Sequence, residues 1–175
     1  MNNNSIIEQV LHNNSGYLNK HLEKYRNHVY RVYHRCRLYD ATPGNDEKYA
    51  IAAVFHDIGI WTNNTFDYLE PSISLASNYL EQTGRPELTE EIGLMIGMHH
   101  KISRYTGPYA HTVEAFRKAD WADLTWGIVR FGLNKKGFSP IVRQFPTKGF
   151  HRFLVKKTIA NFFAHPLKPL PMFKR

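Results

Sequence analysis

Ala52-Ala53-Val54-Phe55-His56-Asp57-Ile58-Gly59 is the stretch whose reading decides this chain. The apolar run Tyr49 to Phe55 has the length and composition of a buried helix, and it ends in an adjacent imidazole and carboxylate. Burying that pair is costly unless something compensates. A divalent cation compensates both, because it takes a neutral imidazole nitrogen and an ionised carboxylate oxygen as ligands. Two residues do not close a metal site, so the question becomes what else the chain brings.

Working outward, three further positions stand in the right kind of place. Upstream, Leu18, Leu22, Tyr25, Val29, Val32 and Cys36 recur every three or four residues and predict a long amphipathic helix. His28 lies on or near its buried stripe, whereas His21 and His34 need not. Downstream, Ile92, Met95 and Ile96 share a face with His99, which continues the stripe better than His100. Further on, Asp120 falls four residues after Phe116 and seven after Val113, on an apolar face where a carboxylate needs a partner. Asp123 is three residues later and could lie on the same side; Asp120 sits more squarely in the apolar stripe.

The order of a lone His, a His-Asp pair and a distant Ala-Asp resembles the HD-domain superfamily of metal-dependent phosphohydrolases. His28-Val29-Tyr30-Arg31-Val32 looks like that family's first helix motif, His56-Asp57-Ile58-Gly59 like its central dyad, and Ala119-Asp120 like its closing aspartate. The resemblance spans roughly residues 20 to 125. It implies an HD-domain-like all-α helical bundle and a metal site made by His28, His56, Asp57 and Asp120. Two imidazoles and two carboxylates nearly neutralise a dication and suit Mn, Fe, Co, Ni or Zn better than Ca. They leave positions for water, which a metal activates toward attack on phosphorus. Leu69-Glu70 stands where two-metal relatives commonly carry a histidine, which argues for one ion, although Glu70, His99 and His100 could contribute to a second.

The reaction expected is hydrolysis of a phosphate ester, of a nucleotide or related small molecule, with Asp57 and His99 as the catalytic side chains. His100 is the alternative to His99 as general acid or phosphate donor. Arg31, Lys101, Arg104 and Lys118 are the candidate substrate-binding cations, since charge accumulates on the phosphoryl oxygens in the transition state. Two other readings stand beside it. One is an HD-fold di-iron oxygenase, for which only His99, His100 and His111 are spare. The other is a nucleotide or nucleic-acid binding module with a structural metal site.

Composition bounds these readings. The 175 residues, 42% hydrophobic and 14% aromatic, fit one core domain. The single Cys36 excludes an internal disulfide and a Cys-rich zinc module. No apolar stretch approaches the ~20 residues of a membrane span, so the expectation is a cytoplasmic protein without a membrane partner. The charge is uneven: residues 1–129 hold twelve Lys or Arg against fifteen Asp or Glu, while Arg130 to Arg175 hold eleven basic residues and no acid. That asymmetry points to an anionic partner, nucleic acid included, or to a solvated surface. The organisation expected is an N-terminal helix or tail over 1–16, a metal-binding core over 17–130 and a basic segment over 131–175 packed on the core. In that segment, Phe150 to about His165 reads as a basic amphipathic helix and the Pro-rich end as non-helical.

Overall fold

The computed structural model describes residues 3–65 and 67–164, and among them it is all-α, with no strand. The chain runs through α1 (Ser5–Asn13), α2 (Ser15–Leu18), α3 (Leu22–Tyr39), α4 (Asp46–Phe55), α5 (Gly59–Thr62), α6 (Leu69–Gln82), α7 (Thr89–Met98), α8 (Ala110–Leu124), α9 (Lys135–Gln144) and α10 (Phe150–Ala164). The Pro-rich stretch from Pro166 onward lies outside the described residues.

Helix α3 is the axis of the molecule. It packs against α8, α4, α9 and α10, while α4 and α8 are joined on their other side by α7. The amphipathic pattern of α3 understates this. Asn27 to Cys36 are buried without interruption, including His34 and Arg35. The second, polar face of α3 is covered by the C-terminal segment: Phe145 stacks on Tyr30 at 4.7 Å and 6°, and Phe150 stacks on His28 at 4.1 Å and 18°. Phe145 and Phe150 are 3% and 0% exposed, so each contributes ~2–3 kcal/mol of apolar burial to holding that segment in place.

The N-terminal residues also belong to the core. Ile7, Val10 and Leu11 of α1 are buried, and α1 packs on α4. The Asn4 side chain accepts from the backbone N–H groups of Ile6 and Ile7, which caps α1. Pro71 stands at the third position of α6, and Thr89 opens α7.

Gly59 has an unexpected role. Its position after the His-Asp pair predicts freedom to leave a helix, yet it opens α5 in ordinary helical geometry. What requires glycine is close approach. A Cβ there would stand 2.7 Å from the Tyr68 carbonyl oxygen and 3.0 Å from Ser72 Oγ. The Gly59 N–H donates to that same Ser72 Oγ at 3.1 Å. The start of α6 is thereby pressed against the His-Asp turn.

Candidate metal centre

Two helices and two turns deliver their side chains to one buried point. His28 comes from the middle of α3, His56 and Asp57 from the turn that follows α4, His99 and His100 from the turn that follows α7, and Asp120 from α8. All six are between 0% and 7% exposed. His28 Nε2 lies 3.0 Å from His56 Nε2. Each of those nitrogens is 3.5 Å from Asp57 Oδ2 and 3.7 Å from Asp120 Oδ1. Two ligands at ~2.1 Å from one ion stand about 3.0–3.5 Å apart, so this spacing is that of donors arranged around a common centre.

The hydrogen bonds behind the rings settle which nitrogens face inward. His28 Nδ1 is 2.7 Å from Asp123 Oδ2, His56 Nδ1 is 2.8 Å from the Ala53 carbonyl, and His99 Nδ1 is 2.6 Å from the Ile96 carbonyl. Carbonyl and carboxylate oxygens only accept. Each Nδ1 therefore carries its proton, and each Nε2 of a neutral ring turns a lone pair inward. Two lone pairs 3.0 Å apart repel unless a cation sits between them. The centre draws such a cation even as a proton: burial works to lower the His56 pKa, but Asp57 and Asp120 overcome it and push it up to about 9. Binding a metal displaces that proton.

The carboxylates are held ionised. Burial would raise the Asp57 carboxyl, and the His56, His28 and His99 rings overcome it and hold it well below the usual range. Asp120 is lowered in the same way, by His56 first. Three buried polar atoms on this wall, Asp57 Oδ1, Asp120 Oδ2 and His99 Nε2, have no hydrogen-bond partner among the described residues. Unsatisfied buried polar atoms are rare, and an ion explains them together.

Among the described residues, two overlapping groups could hold a metal ion. His28, His56 and Asp57 form one, and Asp57, His99 and His100 form the other, with ligand atoms within 4.8 Å of one another in each. Asp57 belongs to both, its Oδ2 facing the first pair of rings and its Oδ1 lying 3.6 Å from His99 Nε2. His100 Nδ1 is 3.9 Å from Asp120 Oδ2. On its far side, His100 Nε2 meets the Tyr68 hydroxyl at 2.6 Å. Of the residues considered for a second position, Glu70 is exposed, and the exposed His111 lies against Asp40 at 3.1 Å.

The candidate substrate cations are distributed differently from the sequence expectation. Arg31 is fully buried behind the site: its Nε and Nη2 clasp Asp123 at 2.7 and 2.8 Å, and its Nη1 donates to the Phe145 carbonyl. Three of its five N–H groups are spent on Asp123 and Phe145, and its side chain is fully buried behind that carboxylate. Arg104 and Lys118 line a hollow of about 350 Å³ with Tyr39, His111 and Glu114, and none of the six centre residues lines it. Lys118 is also 3.7 Å from Glu114 Oε1. Lys101, half-buried, directly follows His100.

Asp123 is the residue whose role the sequence left open. Its carboxylate takes Arg31, Arg35 and His28 Nδ1 at once, and these hold its pKa well below the carboxylate range against burial. The signal was present but ambiguous: Arg31 and Arg35 follow His28 by three and seven residues, on one side of α3. Comparison of the chain with protein-family models, with curated proteins and with solved structures finds no match.

Proposed function

We propose that this protein is a metal-dependent phosphohydrolase acting on the phosphate ester of a nucleotide or related small molecule. The observation that carries the metal is the set of three imidazoles, each with its Nδ1 proton spent on an oxygen acceptor and its Nε2 lone pair turned onto two buried carboxylates. The phosphate class rests on the motif order shared with the HD-domain superfamily.

A divalent ion bound there supplies a Lewis acid and activates water near neutral pH. The chain's own residues do the rest. His28, His56, Asp57 and Asp120 would hold one ion, and Asp57 with His99 and His100 would hold a second. His99 in that role is a ligand, since one nitrogen donates to Ile96 and the other faces the centre. Tyr68 fixes the orientation of His100. Lys101 is the cation placed nearest the His pair along the chain and is assigned to the substrate phosphate.

The shared Asp57 also favours a second reading, a di-iron oxygenase, because both chemistries use a carboxylate between two metals. Elemental analysis of the purified protein, followed by a phosphatase panel with Mn, Fe, Co, Ni and Zn, tests the proposal. Turnover of a phosphate ester that disappears in His56→Ala and Asp57→Ala together with the metal is the expected result. Stoichiometric iron with oxygen uptake and no phosphatase activity would move the assignment to the oxygenase. Stoichiometric metal retained by either variant would remove the centre itself.

A further inference from the structure

A hollow of about 510 Å³ has Arg35, the second guanidinium on Asp123, in its wall. Arg35, Arg130, Lys135 and Arg143 contribute to its wall, and no acidic residue among those described does. The rest of the lining is largely apolar, with Trp126, Ile128, Phe138 and Val142. Ile128 is 79% exposed and Trp126 65%, so the apolar wall opens to solvent.

The inner end of this hollow carries unbalanced charge. Asp123 is one carboxylate shared by two guanidiniums, Arg31 and Arg35, and Arg31 already grips both of its oxygens. Arg35 reaches Asp123 only through Nη1. Its Nε–H is buried without a hydrogen-bond partner among the described residues, and its guanidinium lies over the Phe138 ring at 5.2 Å. Arg35 itself is 1% exposed. A buried cation in excess of its counter-ions calls for an anion, and the apolar wall calls for a hydrocarbon or ring body attached to it.

We infer that this hollow binds an anionic amphiphile, a carboxylate or phosphate carried on an apolar chain, with the anion toward Arg35 and the chain along Trp126, Ile128 and Val142. The site lies outside the metal centre and does not depend on the hydrolase reading.

The test uses the full chain and monomeric probes below their micelle concentrations: dodecyl phosphate, dodecanoate, inorganic phosphate and dodecyltrimethylammonium, followed by titration calorimetry and tryptophan fluorescence. Saturable one-to-one binding of dodecyl phosphate or dodecanoate is expected, and whichever binds identifies the headgroup. Each buried methylene is worth roughly fourfold in affinity, so inorganic phosphate should bind at least about a hundredfold more weakly. The exposed substitutions Arg143→Glu and Lys135→Glu should each weaken binding at least about tenfold while leaving the thermal melt unchanged. The inference is overturned if neither amphiphile saturates, if the cationic probe binds equally well, or if both charge reversals leave affinity unaltered. Retention on phosphatidylglycerol vesicles without binding of the monomeric probes would also overturn it, and would make the patch a membrane-facing surface.

Discussion

Asp123 Oδ2 accepts the Nδ1 proton of His28 at 2.7 Å, and that bond points the other nitrogen of His28 at His56, Asp57 and Asp120, the candidate metal centre. The same carboxylate neutralises Arg31 and part of Arg35, so ring orientation and buried charge depend on one side chain. Asp123→Asn should separate the two consequences by their readouts. Metal affinity should fall ~10–100-fold, as for other partners that orient a ligating histidine. The metal-free protein should lose roughly 3–5 kcal/mol, because two buried guanidiniums lose their anion. Competition with a chelator reads the first and urea unfolding the second. Wild-type metal affinity in the variant would show that His28 is oriented by packing on Phe150 alone.

The two overlapping ligand groups lead to a stoichiometry. Protein loaded with Mn or Fe should carry two ions per chain, and His99→Ala should carry one. His56→Ala should carry fewer than His99→Ala, since it removes a ligand of the primary position. Elemental analysis of the three proteins decides it. One ion in both wild type and His99→Ala would leave His99 outside the coordination sphere and free for acid chemistry.

The residues that converge were largely legible because each sits at a helical position where periodicity demands burial and chemistry resists it. His28, Asp57 and Asp120 announce themselves in this way. Asp123 did not, since it and Asp120 are three residues apart and both face inward; only the arrangement of α3 against α8 shows that Asp123 turns to Arg31 and Arg35. Arg31 misled for the complementary reason. One turn from a ligand, an arginine can face either the substrate or a buried carboxylate, and spacing does not distinguish them. The burial of α3 on every side was hidden as well, because its second covering comes from Phe145 and Phe150, more than a hundred residues away.

Gly59 gives a prediction in which two effects oppose each other. In an unconstrained helix, alanine is up to ~1 kcal/mol better than glycine. Here the new Cβ would meet the Tyr68 carbonyl oxygen at 2.7 Å and the Tyr68 Cβ at 3.1 Å, and backbone does not move aside cheaply. Overpacking of this kind costs about 1–3 kcal/mol, so Gly59→Ala should be net destabilising and should push α6, with Tyr68, away from the centre. Urea unfolding at fixed metal-free conditions measures the sign. A stabilised variant would mean that α6 can shift without penalty.

His34 offers a pH dependence outside the His-Asp cluster. It is 7% exposed, its ring lies beside the stacked Tyr30–Phe145 pair at 5.9 and 5.5 Å, and its Nε2 has no hydrogen-bond partner among the described residues. Burial first, and the Arg37 charge second, lower its pKa to about 4. In the unfolded chain the same ring titrates near 6.5, so between those values the unfolded state binds the extra proton. Stability is then complete above pH ~6.5 and falls as the pH drops toward 4. His34→Phe keeps the stacking and removes the titration. On going from pH 7 to pH 5 in the presence of chelator, wild type should lose roughly 1–2 kcal/mol more than the variant. The difference between the two losses cancels the other histidines, whose titration is common to both proteins. Equal losses would show that His34 gains a proton as readily in the folded protein as in the unfolded chain.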